Sequence, residues 1–269
     1  MTSLHGNLYV LRADCIDIYT TTNCYEHLSR LYVDGLKGAE WNDLTSSELH
    51  NSLYVADNAK KMIRAVPLEG PQRDWVVPDC PCGVSVTRDD TLLVTCADIR
   101  QLLELSLHDG DCFRRTPLSP GIERPWHAVK LISGHYVVSH STGRGLPGQH
   151  RACVVDSDGS ILFHYGAQPG SGMGQLNWPC HLSHNTDELV FVADSSNNRI
   201  VLLTRDMQFM RHYVGSLSHP RRLHLERETR RLYISELRGR VVVVPLNDRA
   251  PFYCPNIHLV PLQSRRFSA

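Results

Sequence analysis

The chain has 269 residues, 42% of them apolar, with equal numbers of basic and acidic side chains. That supplies a sizeable core for one large domain or two small ones, and a formal net charge of zero excludes a chain-wide polyanion binder while leaving local patches open. No apolar run reaches membrane-spanning length, and the opening "MTSLHGNLYV" lacks the charged start and apolar stretch of a secretion signal. With no N-x-S/T sequon, these features point to a soluble, cytoplasmic protein with no membrane partner. The nine cysteines are odd in number and scattered, so they read as buried reduced thiols rather than a disulfide framework. Cys80-Pro81-Cys82 is too tight for usual zinc-ligand spacing.

Along the chain a short apolar core recurs: "LYVLR" (8–12), "LYVAD" (53–57), "LLVTC" (92–96), "HYVVS" (135–139), "VFVAD" (190–194) and "LYISE" (232–236). The gaps between equivalent aliphatics are 45, 39, 43, 55 and 42 residues. Such runs of β-branched and aromatic residues suit buried strands. Five cores follow another strand-like piece: "WNDLTS", "PCGVSV", "PWHAVKL", "PCHLSH" and "PRRLHL". Four of these begin with proline, which a strand tolerates at its first residue. A third apolar strand follows each core, from "IDIY" to "RVVVVPL". The unit is a meander of three or four antiparallel strands, about 40 residues long, and that length suits propeller blades. The expected fold is all-β: a six-bladed β-propeller with blades near 1–36, 37–78, 79–123, 124–177, 178–218 and 219–250. Only "MTSL" precedes the first core's "HGNLYVL", so the first inner strand is expected to be incomplete. Within the tail 251–269, "CPNIHLVPL" (254–262) is a candidate closing strand.

The glycine-rich stretch 166–174 falls between the fourth and fifth blades. No Lys-Ser/Thr and no helix follows it, so it reads as a blade connector and not as a nucleotide site. Asp57 and Asp194 end their strands, where a carboxylate accepts backbone N–H bonds and holds a turn. Trp41, Trp75, Trp126 and Trp178 lie at or near inner strands or interblade loops and are expected to wedge between blades.

"GSGMGQLNWPCHLSHNTDELVFVADSSNNRIVLL" (170–203) resembles an NHL repeat through Gly174, Leu176, Pro179, Val192, Ala193, Asp194, Asn197, Arg199 and Ile200. The other blades fit more loosely: Met62, Cys96, Gln101 and Glu236 depart from the pattern, and Arg240 comes one residue early. The chain is similar to the NHL domains of tripartite-motif ubiquitin ligases and, more closely, to uncharacterised invertebrate NHL proteins. The resemblance implies a non-enzymatic scaffold that binds a protein partner, as the substrate-recognition part of a ubiquitin-ligase system. RING and B-box zinc modules are absent from these residues, and no cofactor is implied.

Three sets of residues are candidates for function. The insertion at 141–151 extends one loop face and offers Arg144, Leu146, Gln149, His150 and Arg151 to a protein partner. The stretch 211–240 holds eight arginines against three glutamates. Arg221, Arg222, Arg227, Arg230, Arg231, Arg238 and Arg240 are therefore RNA-binding candidates, with Tyr213 or Tyr233 as a stacking face. Aligning the inner strands places Asp43, Gly83, His127, His181 and Arg222 in a ring at one channel mouth. Asp43, His127 and His181 could ligate zinc in a channel enzyme of the lyase or lactonase type, or belong to a solvated polar ring.

Overall fold

Each apolar core forms the second strand of a four-stranded antiparallel sheet. The computed structural model describes residues 1–21, 25–33 and 43–246, together with the backbone of 258–260. Blade 1 comprises Thr2–Leu4, Asn7–Leu11, Cys15–Thr20 and His27–Tyr32; blade 2 comprises Asp43–Ser47, Ser52–Asp57, Met62–Pro67 and Arg73–Val76. Blade 3 comprises Pro81–Val86, Thr91–Cys96, Gln101–Ser106 and Cys112–Pro117; blade 4 comprises Pro125–Lys130, Tyr136–Ser141, His150–Val155 and Ile161–Ala167. Blade 5 comprises Pro179–His184, Val190–Asp194, Arg199–Leu203 and Phe209–Tyr213; blade 6 comprises Pro220–Glu226, Arg231–Glu236, Val241–Pro245 and His258–Val260. The chain is a six-bladed β-propeller. Among the described residues no helix is long and apolar enough to cross a membrane.

The second strands read as unbroken apolar runs because both of their faces are buried. In blade 5, Val190 and Val192 pack towards blade 4, while Phe191 and Ala193 pack towards blade 6. In blade 2, Leu53 and Val55 face blade 1, and Tyr54 and Ala56 face blade 3. A strand period of two thus feeds two cores from one sheet. Six apolar cores result, one between each pair of neighbouring blades. The outer strands meet solvent along one edge, and "HLSRLY" (27–32) is exposed at most positions.

The ring closes between blades 6 and 1. Blade 1 has its own inner strand, three residues long, with Thr2 opposite Tyr9 and Leu4 opposite Asn7. The C-terminal strand pairs with Val241–Val243 at the outer edge of blade 6, away from blade 1's inner strand. Among the described residues no strand is exchanged between these two sheets. Instead Tyr233, Val241 and Val243 of blade 6 pack on Leu8, Val10 and Tyr19 of blade 1. Hydrogen bonds cross the same seam: Ser3 N–H donates to His224 Nε2 at 3.0 Å, the Ser3 hydroxyl lies 2.7 Å from the same nitrogen, and Arg231 Nη1 donates to the Thr21 carbonyl at 2.8 Å.

Trp75, Trp126 and Trp178 are buried, and Trp41 lies outside the described residues. Trp126 of blade 4 meets Trp178 edge to face, with centroids 6.4 Å apart, in the core shared by blades 5 and 6. Its indole N–H donates to Ser141 Oγ at 2.8 Å. The described cysteines are all free, and Cys24 and Cys254 lie outside the described residues. Burial pushes the thiols of Cys82 and Cys153 up to about 11 and about 12, which leaves both protonated and inert at neutral pH.

Trp126→Ala is expected to cost about 3–5 kcal/mol. At about 2–4 °C per kcal/mol for a domain of this size, its melting temperature falls by on the order of 10 °C. A change under about 2 °C in calorimetry would show that Trp126 does not wedge the blades.

Candidate functional site

Strand alternation sorts the loops into two faces. Turns joining inner to second strands, and third to outer strands, lie on one side, here called the hairpin face. Turns joining second to third strands, and the links between blades, lie on the other, here called the linker face. The inner strands enter from the linker face, so Asp43, Gly83, His127, His181 and Arg222 sit at that end of the channel.

The structure brings these five together around one carboxylate. Asp43 of blade 2 is 1% exposed. Its Oδ2 accepts the Val84 N–H of blade 3 at 3.0 Å. The same oxygen lies 3.6 Å from His127 Nε2 of blade 4 and 3.3 Å from His181 Nε2 of blade 5. Its Oδ1 lies 2.9 Å from Arg222 Nε of blade 6. The two imidazoles stack with centroids 3.6 Å apart. Gly83 makes room for that stack: a Cβ there would stand 2.7 Å from the Trp126 carbonyl and 2.8 Å from His127 Cδ2.

Burial alone would raise the Asp43 pKa. Arg222, then His181 and His127, outweigh it and hold the carboxyl well below its usual range. Burial drives both imidazoles the other way, so His127 and His181 are neutral at pH 7. The hub therefore carries one buried negative charge, one guanidinium and two neutral rings.

Asp43, His127 and His181 present a donor set of the type zinc takes, with their atoms within 4.8 Å of one another. The hydrogen bonds oppose that use. Leu223 N–H donates to His181 Nδ1 at 3.3 Å, which places the ring proton on Nε2, the atom facing Asp43. A metal-bound histidine shows the reverse, donating from its other nitrogen. His127 Nε2 also lies 3.4 Å from the Val84 carbonyl. The constellation fits a lock across the channel, made of the Asp43–Arg222 ion pair and the hydrogen bonds to Val84 and His181, better than an open metal site. Above it, towards the hairpin face, lies a cavity of about 450 Å³ with His127 and His181 in its floor.

Elsewhere the candidate residues divide. The glycine-rich link joins the outer strand of blade 4 to the inner strand of blade 5. Its amides are already bonded: Gly170 N–H donates to the Leu176 carbonyl, Gly172 N–H to Gln175 Oε1 and Gly174 N–H to the Tyr165 hydroxyl. Its carbonyls face a cation, with Arg199 donating to Ser171 O at 3.0 Å and Gln175 O at 2.9 Å. Gly166 has φ +104°, and a Cβ there would stand 2.2 Å from the His150 carbonyl, so a close strand pairing requires that glycine. Asp194 accepts Asn177 N–H and Arg199 Nε, and Asp57 accepts Lys60 N–H. These aspartates hold turns.

The arginine-rich stretch does not form one face. Arg222 is in the channel hub. Arg221 packs over Trp178 with its guanidinium 4.5 Å from the ring. Arg227, Arg230 and Arg231 fall on the hairpin face, whereas Arg238 and Arg240 fall on the linker face, where Arg240 pairs with Glu236. Tyr213 and Tyr233 are buried in cores and offer no stacking surface. Reversing Arg222 would test the hub and not a phosphate contact. In the 141–151 insertion, Arg144 and Leu146 are exposed and Gln149 and Arg151 are half-buried. His150 is fully buried; it accepts Trp178 N–H at Nδ1 and so anchors the loop.

Sequence reading missed one grouping: Asp79, Cys80 and Asp98 place donor atoms within 4.8 Å of one another. Asp79 is already engaged, accepting the N–H groups of Asp98 and Ile99.

No family model matches the sequence, and no curated protein matches it either. Among solved structures, the chain is similar to a Bacteroides caccae protein of unknown function, at 15% identity over 89% of both chains with a TM-score of 0.69. It is similar to a catalytically inactive virginiamycin B lyase from Staphylococcus aureus with quinupristin, at 14% identity over 98% of this chain and 84% of that one, TM-score 0.65. It is also similar to a chain of a nidogen/laminin complex, at 17% identity over 89% of both, TM-score 0.69. At these identities the likeness concerns the fold alone.

Asp43→Asn removes the buried charge and strands Arg222, an expected loss of about 3–5 kcal/mol by denaturant unfolding. A loss below about 1 kcal/mol would show that the hub does not bind the blades together. The pH dependence follows from the same burial. Asp43 stabilises the fold above its unfolded value near 4 and loses that contribution as pH falls through its lower folded value. The histidines act earlier. Burial lowers His140 and His224 to about 3, so the unfolded chain takes up protons below about 6.5 while the fold does not. Each such ring costs up to about 2 kcal/mol at pH 5. Among the described residues neither His140 nitrogen has a hydrogen-bond partner, so His140→Leu should flatten the stability profile between pH 6 and 4. An unchanged slope would contradict this assignment.

Proposed function

We propose that this chain is an NHL-type recognition propeller, cytoplasmic and non-enzymatic, that binds a protein partner on its linker face over blades 4 to 6. The supporting observation is a ring of exposed apolar side chains on connected loops. Leu146 is 52% exposed, Met173 84%, Val214 56% and Leu237 47%. Arg144 bonds His219 Nε2 at 2.8 Å, and the His219 carbonyl accepts Leu237 N–H at 3.0 Å, which ties the loops of blades 4, 5 and 6 together. Arg240 donates to the Ser216 carbonyl of the same surface. Large exposed apolar side chains rimmed by Arg144 and Arg238 suit a partner with apolar and acidic residues. A structural neighbour in a nidogen/laminin complex accords with partner binding by this fold. The resemblance to tripartite-motif ligases makes such a partner a substrate for ubiquitin transfer by separate catalytic modules. RNA binding is the weaker reading because the arginines are divided between the faces, and a channel enzyme is weaker still because Arg222 and Val84 N–H occupy the carboxylate.

Peptides selected from a random display library should be enriched in acidic and apolar residues. Their binding should fall at least tenfold in Leu146→Asp/Leu237→Asp and stay unchanged in Arg227→Gln on the opposite face. Peptides that bind both variants equally well would remove the linker face as the docking surface.

A further inference from the structure

The hairpin face presents a different chemistry. Its turns ring the mouth of the 450 Å³ channel cavity, a volume within the ~300–1,000 Å³ range of small-molecule sites. Arg88, in the turn after the inner strand of blade 3, and Arg227, in the equivalent turn of blade 6, both line this mouth. Blades 3 and 6 are opposite each other in a ring of six. Among the described residues, neither guanidinium forms an ion pair with a carboxylate. Elsewhere Arg64, Arg199, Arg222 and Arg240 each meet an acid, and Lys130 at this mouth is held by Asp89 and Glu104.

Burial and the nearby Arg88 charge both lower the Arg227 pKa, so the two cations repel each other across the opening. An anion between them would relieve that repulsion and accept bidentate bonds from both forks. The acids of the rim do not take this role. Glu226 accepts from the Thr229 and Tyr233 hydroxyls, and Glu48 and Glu228, which also line the mouth, are exposed at its rim and form no ion pair with an arginine among the described residues. Below the arginines the wall mixes hydroxyls with aliphatic side chains such as Leu44, Val129 and Leu182. Thr45 and Ser183 line it, and His184 donates from Nδ1 to the Asn185 carbonyl, which leaves Nε2 as an acceptor. Burial keeps that imidazole neutral.

We propose that the channel mouth on the hairpin face binds a small polyhydroxylated organic anion of the sugar-phosphate type, with its anionic group between Arg88 and Arg227 and its hydroxyls against Thr45, Ser183 and His184. The hub of Asp43 forms the floor and stops the ligand from passing through. This site is on the face opposite the proposed protein surface and stands independently of it.

Glucose 6-phosphate and inorganic phosphate serve as probes, titrated by calorimetry at constant ionic strength against a chloride control. Glucose 6-phosphate should bind at least tenfold more tightly than inorganic phosphate, because the cavity contributes to the sugar. Arg88→Gln/Arg227→Gln should weaken it by at least tenfold, while Arg238→Gln on the linker face should not. Both altered side chains are solvent-accessible, and an unchanged circular dichroism melting curve confirms that the double variant folds. Equal affinity for the two probes would overturn the cavity as part of the site. Absence of binding, or binding unaffected by the double variant, would overturn the proposal as a whole.

Discussion

A single buried carboxylate spans most of the ring. Asp43 reaches from blade 2 to a backbone N–H of blade 3, an imidazole of blade 4, an imidazole of blade 5 and a guanidinium of blade 6. The reason such a group is needed lies in the geometry of inner strands. Each pairs on one edge only, so its other edge presents unpaired N–H and C=O groups to the channel. Those groups must find partners, since a buried unpaired one costs about 1–3 kcal/mol. Side chains of neighbouring inner strands supply them: Asp43 for Val84, His181 for Leu223, Ser85 for the Ala128 carbonyl and His224 for Ser3. Neutral histidine and serine serve well here, because they satisfy a donor or an acceptor without burying further charge.

The same geometry explains how the ring closes without an exchanged strand. The core between blades 6 and 1 is built like the other five, from alternate residues of two facing sheets. The polar inner bonds then fix register at a seam where backbone pairing between sheets is absent. Removing Asp43 would act on all these contacts together. Its partners come from four blades, and neighbouring contacts in one network are not additive.

Much of this was legible in the sequence. The six cores stood out because strands buried on both faces lose the apolar/polar alternation that would hide them among exposed strands. The outer strands were hard to see for the opposite reason: "RDWV" (73–76) buries little beyond Trp75 and carries no pattern. Repeat alignment found the members of the hub, since equivalent positions of inner strands converge at one channel end. It did not give the tautomer of His181, which depends on an N–H from another blade. The arginine-rich stretch misled for a simple reason. Arg221 and Arg222 are adjacent and so point to opposite sides of a strand, and the hairpin then carries 227–231 to the other face. Arg88 and Arg227 were invisible as a pair because they lie in blades that only ring closure brings opposite each other.

A plugged channel constrains what the molecule can do. With the buried hub of Asp43, His127, His181 and Arg222 across the linker end, each face is read by itself. The linker face offers apolar side chains on loops that are braced by Arg199, Asp194 and Arg144, so its shape is set before a partner arrives. Such pre-organisation lowers the ordering cost of binding. The hairpin face instead offers a concave mouth of mixed hydroxyl and aliphatic lining, with two arginines that form no ion pair among the described residues, features suited to a small ligand and poorly suited to a broad protein surface. The hub is common to both faces. It braces the inner strands that carry the hairpin turns, and it fixes the blade links that carry the linker loops.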